Sequence, residues 1–333
     1  MLSYRLVVDK ELPLVSIVAI NYNNSKHLIE TLDSIDQQTY KNIELIIVDD
    51  FSTDDSVKKI DQWLFTYNKP FQFIKHTENK GICKTINDGY KVAKGKYISS
   101  IATDDLMLPK KTEIQVQLLE NTDDRLGMVF SDVYLMDEDS NPIEGKFIEK
   151  YKSNVFHINS ENIYEELLKG NFIPAMSIMI KSDILSKIGY FDENLNYEDL
   201  DMWLRIAEKY KIQYSEYISA KYRIHKNSIT QKLSRDRWAV DDIKIYNKHK
   251  NNSPIAKYFL NKLIYDSFIK DNNDVYKFLK NNKINKQITC MSKIWGMNYL
   301  SHRKKIDLYN KTMSIYKYYY KLIAFMKYQK CLI

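Results

Sequence analysis

The chain has 333 residues, 44% apolar and 28% charged, enough to bury a sizeable core and, by length, to form two domains. Its three cysteines, Cys83, Cys290 and Cys331, are scattered and odd in number. That excludes a disulfide framework and zinc-ligand spacing, and it fits a reducing compartment. No window approaches the roughly 20 apolar residues of a membrane span, and no signal-peptide pattern is read. The net charge of +7 is unevenly spread: from Lys244 onward there are 19 Lys and Arg against 4 acids, and before it 31 against 39. An acidic body with a basic tail predicts two parts with different partners.

In chain order, the β-branched apolar run 13–20 predicts a buried parallel strand. The polar turn 21–24 caps a helix over 25–37, with Leu28, Leu32 and Ile35 on one face. A second strand over 43–48 stops at Asp49 and Asp50, and residues 52–55 cap the next helix. A third strand over 71–75, a turn through Gly81 and a helix over 82–93 follow. Gly95 closes that helix, and a strand over 97–101 leads to Asp104 and Asp105. Strands alternating with helices predict a parallel, doubly wound α/β sheet. In such sheets ligands sit outside the carboxyl ends of the strands. Hard divalent cations take one or two carboxylates plus the phosphates of a substrate. Taken alone, each acidic pair reads as a helix cap. Two pairs at one sheet edge point to a nucleotide-plus-metal crevice.

Further along, the apolar segment 171–180 reads as a strand entering the crevice, or equally as a core strand. A short helix over 183–187 ends at Gly189. The next helix starts with Glu198, Asp199 and Asp201 in its first turn, where the helix dipole favours acids. Met202, Leu204 and Ile206 anchor it in the core, so that one carboxylate is aimed rigidly into the crevice. At 222–225 the alternation turns Tyr222 and Ile224 inward and Arg223 and His225 outward. From about 236 helical patterns take over, including 258–269 and 275–279. The last, 304–330, sets Ile306, Tyr309, Met313, Tyr316, Tyr320 and Ile323 on one face and Lys304, Lys311, Lys317 and Lys321 on the other side. Such a helix suits a membrane surface. The alternative is packing on the preceding α/β domain or on a second copy in a homodimer. Nucleic acid is not expected as a partner, because the charge is spread over many turns.

Several motifs recur together: Val-Ser-Ile-Val-Ala-Ile-Asn-Tyr-Asn (15–23), Ile-Ile-Val-Asp-Asp-Phe-Ser-Thr-Asp (46–54), Asn-Lys-Gly (79–81) with Asn87 and Gly89, and Thr-Asp-Asp-Leu-Met-Leu-Pro (103–109). Ile-Gly-Tyr-Phe-Asp-Glu (188–193), Glu-Asp-Leu-Asp-Met-Trp-Leu-Arg (198–205) and Tyr-Arg-Ile-His-Lys-Asn-Ser (222–228) complete the set. In this order and spacing they resemble the inverting, nucleotide-sugar-dependent glycosyltransferases of the GT-A fold, family 2. The resemblance implies a GT-A domain over 1–235, with a mostly parallel sheet flanked by helices, and a basic helical region over 236–333. It implies transfer from a UDP-linked donor to a glycan or lipid-linked acceptor in bacterial capsule or lipopolysaccharide assembly. The enzyme would be cytoplasmic, peripheral on the inner face of the membrane.

Position by position, the resemblance assigns the base to Tyr22 and Asp50, the ribose side to Asp49, and Mg²⁺ or Mn²⁺ at the diphosphate to Asp104, Asp105 and His225. It makes Asp199 the base that deprotonates the acceptor hydroxyl, with Glu198 and Trp203 shaping the acceptor pocket. Two positions depart from the family pattern. Ala102 stands where an acid often precedes the metal ligand, and Ile86 where many members carry Arg; Lys84 is the cation nearby that would replace it at the nucleotide. Ala102 is the one feature favouring an alternative, a catalytically silent nucleotide-binding partner in a polysaccharide-assembly complex.

Overall fold

The computed structural model describes residues 12–122, 124–151, 158, 162–226, 228, 235–270 and 272–282. The first half is a βα alternation: β1 Val15–Asn21, α1 Leu28–Asp36, β2 Ile43–Asp49, α2 Ser56–Leu64, β3 Phe71–Lys75, α3 Ile82–Val92 and β4 Tyr97–Ala102. The four strands are parallel in the order β3-β2-β1-β4. All seven residues of β2 are buried, which is why its sequence is a continuous rather than an alternating apolar run. The register pairs Asn21 with Asp49 and Ile20 with Ala102. Both acidic pairs therefore follow strands that end at one edge. Gly89 lets α3 lie against the sheet, since a Cβ there would stand 2.4 Å from Val18 Cγ1.

The second half closes around that edge. It comprises β5 Leu106–Met107, α4 Lys111–Glu120, β6 Leu126–Met136, β7 Pro142–Lys146, α5 Phe147–Tyr151, α6 Ile163–Leu168, β8 Met179–Lys181, α7 Leu185–Ile188, α8 Asp199–Lys209 and β9 Lys211–Arg223. β8 joins the sheet antiparallel between β4 and β6, and β6 runs parallel to β9. The long β9 also pairs antiparallel with β5, Leu106 opposite Lys221, which carries its far end to the turn bearing Asp104. The sheet is mixed but mostly parallel, flanked by helices, as in the GT-A fold. The expected strand over 171–180 is reduced to Met179–Lys181. Pro174 has no N–H for a ladder, and the Ser177 N–H and hydroxyl both donate to its carbonyl, closing a 3₁₀ turn over Ala175–Ser177.

Lys111 opens α4 with no exposed surface. Its ammonium donates to Ser99 Oγ (2.8 Å), Gln115 Oε1 (2.8 Å) and the Ile178 carbonyl (2.9 Å), all of them neutral. Burial pushes its pKa down to about 7 from 10.5. The unfolded chain thus binds the extra proton between those values, and folding stability rises with pH across that window, by up to about 1.4 kcal/mol per unit from this group. Urea unfolding at pH 7 and pH 9 should show the wild type gaining stability from this group and Lys111→Met lacking that gain. Equal slopes in both proteins would exclude Lys111 as the source.

The described residues fall into two compact units that part between His225 and Lys226, with residues 168–170 belonging to the second. The second unit contains α9 Arg235–His249, α10 Pro254–Ile269 and α11 Asn273–Asn281. Ile243, Ile245, Leu260, Ile264, Val275 and Leu279 are buried in it. Helix α10 starts earlier than the apolar pattern suggests: Pro254 suits the first helical position, and Ser253 Oγ accepts the Ile255 N–H at 3.2 Å. Asn272 Oδ1 caps α11 by accepting the Val275 N–H. Among the described residues no helix is long and apolar enough to cross a membrane. The amphipathic helix expected over 304–330 lies outside the described residues.

Candidate active site

The carboxyl ends of β1, β2 and β4 are stitched together by Asn21. Its Nδ2 donates to Asp49 Oδ2 (2.7 Å) and Ser52 Oγ (3.0 Å), and its Oδ1 accepts from Thr103 Oγ1 at 2.6 Å. Asp49 is almost fully buried and also accepts from the Ser52 N–H and hydroxyl. The structure places it as a brace between loops, with its carboxylate engaged inside the protein. Asp50 is likewise buried: it accepts the N–H groups of Lys80 (2.8 Å) and Gly81 (2.9 Å) and faces His76 Nδ1 at 2.8 Å. His76 Nε2 in turn faces Asp88 at 3.1 Å. Asp50 thereby fixes the turn before α3, where Gly81 sits at φ +83°. Among the described residues its Oδ2 takes one bond, from the Gly81 N–H, and keeps acceptor capacity. Tyr22 and Lys84 are exposed, Tyr22 at this mouth and Lys84 in the first turn of α3.

After β4, Asp104 and His225 meet although they lie far apart in sequence: Asp104 Oδ2 is 2.8 Å from His225 Nε2. Asp105 does not join them. It is 3% exposed and its Oδ1 accepts the Arg223 N–H at 2.9 Å. Burial first, then the charge of Asp104, raises its pKa well above the ordinary carboxylate range. Its geometry is that of a tie between the Asp104 turn and β9, in place of the expected ligand position. The alternation expected at 222–225 is also corrected. Arg223 is fully buried, because its guanidinium finds acceptors in the carbonyls of Asp104 (2.7 Å), Asp137 (3.3 Å) and Glu138 (3.3 Å), in Ser140 Oγ (2.7 Å) and in Glu30 Oε2 (2.6 Å). The pairing of β9 with β5 delivers it there. His27, which no sequence motif singles out, packs its ring 5.7 Å from that of His225. Burial, then the positive charge of Arg223, holds its pKa below the ordinary imidazole value.

Among the described residues no three His, Cys, Asp or Glu side chains converge as a metal centre. The pair Asp104–His225 nonetheless fits a divalent cation in its donor types. A carboxylate oxygen and an imidazole nitrogen are ligands that such cations accept alongside phosphate and water.

At the start of α8, Asp199 Oδ2 accepts from Asn171 Nδ2 at 2.5 Å and its Oδ1 from the Leu200 N–H at 2.6 Å. Enclosure, then the charge of Asp199, pushes Glu198 up to about 8. The preceding loop is pinned to α3: Asn87 accepts the Phe191 N–H and donates to the Phe191 carbonyl, both at 2.9 Å. Asp201 is fully buried and pairs with Arg205 Nε at 2.9 Å, while Arg205 also holds the carbonyls of Ile188 and Tyr190. Trp203 departs from its expected place at the acceptor. It is 1% exposed, packed inward with Met202, Leu204 and Ile206, because α8 is buried almost all round.

With this geometry in hand, the family model for glycosyl transferase family 2 matches residues 16–189, more than half of the chain. The chain belongs to that family. It is 32% identical over 272 residues to the uncharacterized glycosyltransferase MJ1057 of Methanocaldococcus jannaschii, covering 79% of this chain and 91% of that protein. It is 29% identical over 218 residues to the UDP-Glc:alpha-D-GlcNAc-diphosphoundecaprenol beta-1,3-glucosyltransferase WfaP of Escherichia coli, 65% of this chain and 80% of that one. Several other glycosyltransferases that it matches are longer, and it spans only 41% and 36% of two of them. Among solved structures it is similar to S. aureus TarS 1-349 in complex with UDP-GlcNAc, with TM-score 0.62, 16% identity and 91% of each chain covered. At that identity the likeness supports the GT-A fold alone.

Proposed function

We propose that this family 2 member moves a sugar from a UDP-linked donor to the hydroxyl of a lipid-linked glycan, with inversion at the anomeric carbon, in surface-polysaccharide synthesis. The observation that carries the reading is the meeting of Asp104 with His225 at the edge where Asn21 also joins β1 to β2. Tyr22 and Asp50 lie at the same edge, after β1 and β2. Asp199 is held by Asn171 at the head of α8. As the acceptor oxygen attacks the anomeric carbon, Asp199 takes its proton, the bond from that carbon to the diphosphate breaks, and the nucleoside diphosphate departs. Glu198, protonated below about pH 8, keeps a second charge away from this base. Asp104 and His225 would hold Mg²⁺ or Mn²⁺, whose chemistry is to neutralise the leaving diphosphate. The donor and acceptor named for the Escherichia coli relative support a UDP-sugar and a lipid diphosphate.

The test is a panel of nucleotide sugars with Mn²⁺, read as release of nucleoside diphosphate with and without a polyprenyl-diphosphate sugar. Turnover with UDP-sugars that rises with the acceptor is expected; no release from any donor overturns the reading. The basic composition after Lys244 supports a further part of the proposal, attachment to an anionic membrane surface, at about 1 kcal/mol per Lys or Arg near the lipid. Sedimentation with anionic vesicles at low salt should then exceed that with neutral ones, and equal sedimentation removes it.

A further inference from the structure

Two large side chains remain in solvent at the carboxyl edge of the sheet, Tyr22 (53% exposed) and Phe51 (47%). Their sequence neighbours are tied to one another. Asn21 Nδ2 and the Asn23 N–H both donate to Ser52 Oγ, at 3.0 and 2.9 Å. The Asp50 N–H donates to the Asn21 carbonyl at 2.8 Å, and Asn23 Oδ1 accepts the Thr53 N–H at 2.7 Å. The loops after β1 and β2 are therefore one laced unit from which the two rings project. Phe51 sits at φ +65° and Asn23 at φ +50°. Asn visits the left-handed region readily, whereas a bulky residue there is an outlier. Phe51 gains no core packing to offset that conformation. Backbone strain of this kind persists where the surroundings impose it, and it clusters at ligand-binding sites. The residue before Phe51 is Asp50, whose carboxylate fixes the turn on the other side of the mouth.

We propose that Phe51 is a nucleobase platform, its ring stacking with that of Tyr22 on the base of a bound nucleoside diphosphate. The inference deepens the donor assignment made above and rests on it. Every base has a π-face, so stacking is tolerant of base identity. Phe51 thus sets the affinity for any nucleoside diphosphate, and discrimination among bases falls to hydrogen bonding at Asp50.

The experiment is calorimetric titration of the full chain with UDP, GDP and inorganic pyrophosphate, each with Mn²⁺, for wild type, Phe51→Asn and Phe51→Trp. Asn suits the left-handed backbone, so Phe51→Asn should keep or raise the thermal midpoint. It should weaken UDP and GDP alike by about tenfold, on the scale of one lost base–aromatic stack, and leave pyrophosphate unchanged. Phe51→Trp should restore both nucleotides. The proposal is overturned if Phe51→Asn binds UDP as tightly as wild type, or if pyrophosphate weakens by the same factor, which marks a loop effect. A wild-type chain that binds neither nucleotide instead removes the donor reading itself, and the proposal with it.

Discussion

Asp199→Asn should slow sugar transfer by ~10²–10⁴-fold, the usual worth of a positioned general base, while UDP should bind as in wild type. The substitution keeps the shape of the side chain and its place against Asn171. It removes the negative charge and the capacity to accept the acceptor proton, and its single oxygen keeps the Asn171 bond while the amide NH2 replaces the oxygen facing the Leu200 N–H. The fall should appear in kcat at saturating donor, with calorimetric UDP affinity unchanged. Glu198→Gln is the matched control. Glu198 is protonated up to about pH 8, so an amide there mimics its working form and turnover at pH 7 should stay near wild type. Transfer by Asp199→Asn at the parental rate would place the base elsewhere. Asp201 is a poor substitute, because it is fully buried and paired with Arg205.

The contrast between Asp199 and Asp201 shows where sequence reasoning stops. Both acids sit in the first turn of α8, where the helix dipole accounts for either. Only the partner decides: an arginine one turn on, against an asparagine from a distant loop. The parallel half of the sheet was legible because its strands are short β-branched runs broken by turn residues, and the two acidic pairs fell at one edge as those runs predict. Arg223 was misread for a physical reason. Alternation sends charges outward by default, and the guanidinium is buried only because carbonyls from Asp104, Asp137 and Glu138 come together around it. The same long-range closure takes Asp105 out of solvent. Trp203 is assigned to the acceptor by resemblance alone, and no local pattern shows that α8 is buried nearly all round and takes the indole inward. The approach of Asp104 to His225 was reachable only through family resemblance, since no local pattern reports a contact between such distant residues. His27 carries no signal of its own. It occupies a helix start, and the chain just after β9 brings His225 beside it.

Asp104→Asn should abolish the proposed metal dependence of donor binding and lower turnover on the order of 10²–10³-fold, the scale for losing one preorganised electrostatic stabiliser. The fold should survive, for two reasons. Arg223 clamps the backbone carbonyl of Asp104 and not its side chain, so the turn stays tied to β9. The charge of Asp104 is also one of the causes that raise the pKa of buried Asp105. A group whose folded pKa is raised above its unfolded value of about 3.8 costs stability as pH climbs through that interval, because the folded state holds the extra proton. Removing the neighbouring charge lessens this cost at neutral pH, so the thermal midpoint should hold or rise. Wild-type UDP affinity should increase on adding Mn²⁺, and Asp104→Asn should bind UDP equally with and without it. If UDP affinity is insensitive to Mn²⁺ in both proteins, Asp104 and His225 pair for structural reasons alone. In that case Arg223 and the β9–β5 pairing are the features that hold the crevice in shape.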